Sequence, residues 1–421
     1  MSQPRLKAPL WIACALLIAL LIGLNALGNT ATAQDVFPQT STPRPSPTGN
    51  GGSATWTINE MTFASEYPNG GTFTLDAASS AGKITSALLF FQHNPSARNR
   101  AIAKLDETTG KWIAHGISGD TPQWVAVDYW WQLTDDAGNT YQTETKNDVY
   151  SDTRREWNHA ESEDIEVYWE KQLPAEMGDT IIQAMRDRRE WYYQNWGQLL
   201  KYRPRAIVYD GEDDTVINEW SPGSTGVNPG FGDRVATITG GFTTQKFGAF
   251  VGIYRSSRQD PIEFAYAIVL HEVGHLYQYQ NGGSWGSEFW IQEGDAEFNA
   301  NYKSASNFAL NRASQIAQSG KLPAMAELGG LDAYNVGYSF FYWFTGKFGE
   351  DSHLKFAQLI GRGVRPRDAF QQISGQAFPE LEGTFRLWLG ASSGDIPTKV
   401  PEPTMMMFPS PTFPPTKTPK P

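Results

Sequence analysis

His271-Glu272-Val273-Gly274-His275 lies within Asp260-Pro261-Ile262-Glu263-Phe264-Ala265-Tyr266-Ala267-Ile268-Val269-Leu270-His271-Glu272-Val273-Gly274-His275-Leu276-Tyr277. Two histidines four apart on a helix project from one face, close enough to hold a single zinc ion, and the glutamate beside the first is placed to act as general base. The helix has a clear start. Pro261 lacks the amide hydrogen that a first turn leaves unpaired, and Asp260 is a capping residue. Ile268, Val269 and Leu270 make it strongly apolar, so His271, Glu272 and His275 are three polar groups in dry surroundings. The chain has six histidines and two of them fall in this motif, which makes coincidence a poor explanation. A catalytic zinc needs three protein ligands and one open position, so a third ligand is expected downstream.

The next acidic cluster is Phe289-Trp290-Ile291-Gln292-Glu293-Gly294-Asp295-Ala296-Glu297-Phe298. Glu293 and Glu297 are four apart and share a helix face, while Asp295 points elsewhere. One of the two glutamates can bind the metal while the other orients a ligand histidine. A solvated acidic patch fits poorly beside Trp290, Ile291 and Phe298.

These two segments together resemble the gluzincin metallopeptidases, and within them the peptidase MA-like group, whose motif is of Trp-Leu-x-Glu-Gly-x-Ala-Glu type. The resemblance covers roughly residues 160–392. It implies an α+β, thermolysin-like domain with His271, His275 and Glu293 as zinc ligands, Glu272 as general base and Glu297 hydrogen-bonded to a ligand histidine. Seventeen residues separate His275 from Glu293, one fewer than is usual in the aminopeptidase N branch. Further on, Ala333-Tyr334-Asn335-Val336-Gly337-Tyr338-Ser339-Phe340-Phe341 is similar to the segment that carries the oxyanion-stabilising tyrosine. Tyr334 is the match, with Tyr338 on the next turn as its rival. Aminopeptidases of this clan also carry a Gly-x-Met-Glu-Asn segment that reads the free amine. Here Thr239-Gly240-Gly241-Phe242-Thr243 has no glutamate, so an endopeptidase is expected.

Outward from the motif, 421 residues suggest two domains plus tails. Residues 1–33 read as an export signal: Arg5 and Lys7, an apolar run to about Leu27, then Ala31-Thr32-Ala33. The competing reading is an uncleaved membrane anchor. Cys14, the single cysteine, lies inside that run, so the mature chain is expected to have neither disulfides nor thiolate ligands. The net charge is −11, and loss of residues 1–33 would leave −13. That balance argues against nucleic acid or an anionic membrane as main partner and says nothing more specific about substrate; a peptide or protein substrate is what the resemblance implies. Oligomeric state is not readable.

Residues 34–53 are rich in Pro, Ser, Thr and Gly and read as a spacer; 393–421 read as a disordered Pro/Thr-rich tail. Between 54 and 155, short alternating segments such as Thr72–Leu75, Ala87–Phe91, Trp124–Leu133 and Thr140–Thr143 predict an all-β, immunoglobulin-like sandwich. Trp130 and Trp131 fall on opposite faces of one strand, and the core is a stronger reading of them than a ligand platform. From 156 the pattern predicts strands at Ile165–Trp169, Arg205–Tyr209, Val235–Ile238 and Phe250–Tyr254. The last of these is expected to offer a sheet edge to an extended peptide. Helices follow from Pro261 to Gly390. The acidic run Asp210-Gly211-Glu212-Asp213-Asp214 lacks the spacing of a calcium loop.

The expectation is thus a multi-domain exported zinc peptidase, secreted or held in the cell envelope. The alternative is a non-catalytic zinc-containing binding or adhesion protein, against which an intact Glu272 argues. Hydrolysis of a cell-wall amide is a third reading.

Overall fold

A computed structural model of the chain describes residues 54–397, except 68, 94–97, 118–120, 213–240, 245–246 and 302–306. All described residues belong to one unit, Pro47–Pro421. The expected leader, spacer, strand at Val235–Ile238 and most of the expected tail lie outside the described residues.

Two antiparallel sheets come first. One runs β1 (Trp56–Ser65), β2 (Gly71–Ser79), β6 (Lys111–Gly116), β5 (Lys104–Asp106) across its width. The other runs β4 (Asn99–Ile102), β3 (Ile84–Gln92), β7 (Ala126–Asp135), β8 (Thr140–Gln142), with β9 (Lys146–Val149) also on β7. Alternation along each strand puts Phe73, Leu75, Leu89, Tyr129, Trp131 and Leu133 into one shared core. Trp130, on the opposite face, is also buried, stacked on Phe90 at 5.6 Å with the Arg98 guanidinium above it. The hairpin after β7 turns at Gly138, whose φ of 82° is where glycine is needed. Trp124 departs from the strand expected of it. Its φ is 62°, the strand begins at Ala126, and its ring stacks on Tyr168 at 4.5 Å.

The third sheet, ordered β10-β11-β12-β14-β13, comprises β10 (Trp157–Glu161), β11 (Glu166–Glu170), β12 (Arg205–Asp210), β14 (Ala249–Tyr254) and β13 (Gly241–Thr244). β11, β12 and β14 are parallel, and β13 runs antiparallel on the outside of β14. The expected peptide-facing edge therefore shifts: β14 is interior, and among the described residues β13 is the outermost strand on that side. Both faces of this sheet are covered. Ala206, Val208, Phe250 and Tyr254 join a helical core, while Ile207, Tyr209, Ala249, Val251 and Ile253 join the core of the first two sheets. Burial on both faces explains why these strands are continuous apolar runs instead of alternating ones.

The helical layer begins with α1 (Met177–Trp196), which connects β11 to β12 and ends at Gly197 in the left-handed region. The motif helix is built in three pieces: α2 (Pro261–Phe264), a π-helical turn (Ala265–Val269) and α3 (Leu270–Asn281). Asp260 caps it as expected, accepting from Glu263 N at 2.7 Å. The π-turn, which ends two residues before His271, is not visible in the apolar periodicity; such insertions concentrate at functional sites. α4 (Phe289–Asn301), α5 (Phe308–Gln318), α6 (Gly330–Phe348), α7 (Ser352–Gly361), α8 (Pro366–Ser374) and α9 (Phe378–Trp388) complete the layer.

Two close crossings position the site. A Cβ on Gly274 would lie 3.1 Å from Ala296 Cα, so α3 and α4 nearly touch there. A Cβ on Gly337 would lie 2.4 Å from Trp290 O and 2.8 Å from Gly294 Cα, so α4 and α6 touch backbone to backbone. Gly337→Ala is expected to destabilise the protein by about 1–3 kcal/mol through overpacking, against a gain of roughly 1 kcal/mol in helix propensity. Thermal melting checks this, and a raised Tm would rule out so close a crossing.

Candidate metal centre

α3 carries His271 and His275 on its buried face, and α4 brings Glu293 against them. His271 Nε2 and His275 Nε2 lie 3.1 Å apart, and Glu293 Oε2 is 3.3 Å from the first and 3.4 Å from the second. All three residues are buried. His271 Nδ1 faces Glu297 Oε1 at 3.1 Å, and His275 Nδ1 faces Gln278 Oε1 at 3.0 Å. The Gln278 acceptor opposite His275 Nδ1 leaves that ring's Nε2 to present its lone pair, Glu297 stands beside His271 Nδ1 as a charge contact, and the Glu293 carboxylate adds a third donor at the same point. Two imidazole nitrogens and one carboxylate oxygen, turned toward each other in a buried site, are a donor set that suits zinc. His271, His275 and Glu293 are the residues that would hold it.

The local field agrees. Burial pushes His271 downward, yet the carboxylates of Glu293 and Glu297 outweigh it and hold its pKa well above the ordinary histidine value. Burial pushes Glu293 upward, but His275 and His271 prevail and keep it well below the usual carboxylate range. The site thus favours positive charge at its centre and an ionised Glu293 beside it.

Glu272 is buried on the same helix and reaches toward the edge strand. Thr243 Oγ1 donates to Glu272 Oε2 at 2.5 Å. Gly241, two residues back, makes room: a Cβ there would lie 2.6 Å from Glu272 Oε1. Burial raises the Glu272 pKa, with the two histidines and the Thr243 hydroxyl acting against it. A carboxylate whose basicity is raised by a dry site is a better proton acceptor near neutrality.

Tyr334, near the start of α6, lays its ring on His271 at 5.6 Å and 23°, and Phe289 meets it edge-on at 5.9 Å. Burial raises the phenol's pKa most, followed by the Glu293 carboxylate to which it hydrogen-bonds, so it stays a proton donor. Tyr338 is also buried, with its ring stacked on Tyr342 at 6.1 Å.

The six sequence-derived residues His271, Glu272, His275, Glu293, Glu297 and Tyr334 therefore converge. Thr243, Gly241 and Gln278 were not foreseen. The segment holding Gly241 and Thr243 drew notice only for lacking a glutamate, and no local pattern links it to Glu272. Thr243→Val is expected to lower kcat by roughly tenfold to a hundredfold, the worth of a hydrogen bond to a charged group, while Thr243→Ser retains activity. Steady-state kinetics at full zinc loading test this, and equal loss in both variants would rule out the hydroxyl's role.

Among the described residues a second group, His159, Glu161 and Glu166, also brings possible ligand atoms together. It is a poor cation site, because Arg205 Nε already lies 2.7 Å from Glu166 Oε2 and Arg203 pairs with Glu161 at 2.9 Å.

No family model and no curated protein matches the chain. Among solved structures it is similar to native LTA4 hydrolase of yeast, at 10% identity over 87% of this chain and 73% of that one, with a TM-score of 0.37. It is also similar to a two-domain M1 zinc metallopeptidase bound to L-arginine, at 13% identity over 79% of this chain and 92% of that one, with a TM-score of 0.34.

Proposed function

We propose that the chain is an exported zinc-dependent peptidase, with an endopeptidase centre in residues 156–392 and an immunoglobulin-like sandwich in 54–155. The observation that carries the peptidase reading is the three-residue donor set of His271, His275 and Glu293 with the buried Glu272 carboxylate beside it. Bound there, zinc would supply Lewis acidity, polarising a carbonyl and making water more acidic. Glu272 takes the proton from the attacking water and later delivers it to the leaving amine. Thr243 holds one oxygen of that carboxylate and leaves the other to the proton. Tyr334 donates its phenol hydrogen to the scissile carbonyl oxygen as negative charge develops there. Glu297 fixes His271 from behind.

The strand order β1-β2-β6-β5 against β4-β3-β7-β8 is the pairing expected of an immunoglobulin-like topology and supports that part of the reading. Endopeptidase specificity is supported by the sequence Thr239-Gly240-Gly241-Phe242-Thr243, which lacks the glutamate of the Gly-x-Met-Glu-Asn segment that aminopeptidases use to read a free amine. Export rests on the character of residues 1–33; no helix among the described residues is long and apolar enough to cross a membrane.

The test is cleavage of a mixed peptide library whose N-termini are blocked. Cleavage abolished by a chelator and restored by zinc is the expected result. Cleavage confined to peptides with free N-termini would replace the endopeptidase with an aminopeptidase, and none at all at full zinc occupancy would leave a binding protein.

A further inference from the structure

Behind His275 lies a run of buried polar groups that the proposed reaction does not use. Gln278 Oε1 sits 3.0 Å from His275 Nδ1. Gln278 Nε2 donates at 2.8 Å both to the Gln292 carbonyl and to Asp295 Oδ2. Asp295 Oδ1 meets His353 Nε2 at 2.5 Å, and His353 Nδ1 faces the Asn195 carbonyl at 3.2 Å. Asp295 and His353 are fully buried, and Gln278 is 1% exposed. Asn299 ties the ends together, donating to the Asp295 carbonyl at 2.8 Å and accepting from Asn195 Nδ2 at 3.2 Å.

The donor and acceptor inventory of this run leaves one orientation for Gln278. The Asn195 carbonyl only accepts, so His353 Nδ1 carries a hydrogen. The proton between His353 Nε2 and Asp295 Oδ1 sits on one or the other, and in both cases Asp295 Oδ2 remains an acceptor. Gln278 therefore faces two acceptors on one side, the Asp295 oxygen and the Gln292 carbonyl, and must turn its NH2 to them. Its oxygen is then forced toward His275. Facing an acceptor, His275 can only place its hydrogen on Nδ1, which leaves Nε2 as the ligand atom.

We propose that His353, Asp295 and Gln278 act as positioning residues that lock the tautomer of His275, an inference that rests on the metal reading above. The lock acts through amide orientation and not through charge. Asparagine at 295 can satisfy the same pattern, accepting from Gln278 with its oxygen and donating to His353 Nε2 with its nitrogen, whereas leucine cannot.

The experiment uses the full chain, zinc and a competing chelator, with long-range proton–nitrogen spectra of 15N-histidine-labelled, zinc-loaded protein. The wild type is expected to bind one zinc through His275 Nε2, with a slowly exchanging proton on Nδ1. Gln278→Leu and Asp295→Leu are expected to weaken zinc binding by about 10–100-fold, the usual cost of losing a partner behind a ligand. Asp295→Asn is expected to stay within a few-fold of wild type. Coordination through His275 Nδ1 would overturn the proposal. So would wild-type affinity in a folded Gln278→Leu, or equal losses in Asp295→Asn and Asp295→Leu. If the leucine variants do not fold, the wild-type spectrum and Asp295→Asn decide the matter. Failure of the wild type to bind zinc removes both the metal reading and the lock, whereas zinc bound as described without peptide cleavage removes only the peptidase.

Discussion

Glu272→Gln is expected to abolish peptide cleavage while leaving one zinc bound. The substitution keeps the size of the side chain and a partner for Thr243, but a neutral amide cannot accept a proton. General acid–base catalysis of this kind contributes roughly 10²–10⁴-fold, and the loss should fall in kcat with KM little changed. His271, His275 and Glu293 are untouched by the change, so metal content measured on the purified variant should equal that of the wild type. The two readings together discriminate. Lost activity with lost metal would make Glu272 a structural residue, and retained activity with retained metal would end the proposed mechanism.

Tyr334→Phe is expected to lower kcat by roughly 10²–10³-fold, the cost of deleting one hydrogen-bond donor from an oxyanion site. The ring remains against His271 and Phe289, so packing and zinc affinity should be preserved. Tyr338→Phe is the matched control on the same helix, one turn along. Its ring stacks on Tyr342, and its kcat should stay within a few-fold of wild type. If the larger loss appeared in Tyr338→Phe, the donor would have been assigned to the wrong turn of α6. The effect also ties chemistry to packing. Tyr334 reaches the site only because Gly337, three residues on, lets α6 lie directly on Gly294 and so beside Glu293.

How far the site could be read without coordinates depended on whether its residues communicate through local spacing. His271, Glu272 and His275 sit on one helix at a spacing that puts both imidazoles on one face. Glu293 and Glu297 repeat that spacing on the next helix, and Asp260 and Pro261 mark where the first one starts. These are short-range rules of backbone geometry, and they act on any chain that carries them. The apolar runs at Arg205–Tyr209 and Phe250–Tyr254 likewise announced strands, which the fold extends by one residue each to Asp210 and Ala249.

Contacts between distant segments obey no such spacing. Thr243 meets Glu272 because β13 pairs on the outside of β14, an arrangement that moved the open edge from the strand expected to bear it. Gln278, Asp295 and His353 join three helices into one buried run, and Asp295, which spacing alone turned away from the ligand face, is what orients the amide behind His275. Gly274 and Gly337 look like weak points in their helices until the crossing backbones are seen. By itself the sequence determined that His271 and His275 share one helix face, that Glu293 and Glu297 share another, and that sheet alternates with helix, because 3.6- and 2-residue periods are properties of the chain; the choice of Glu293 as third ligand was implied only by the resemblance. Only the tertiary structure decided which donors face which acceptors, because that depends on side chains far apart in sequence being brought within 3 Å or so of each other in a dry interior, where an unpaired polar group is costly.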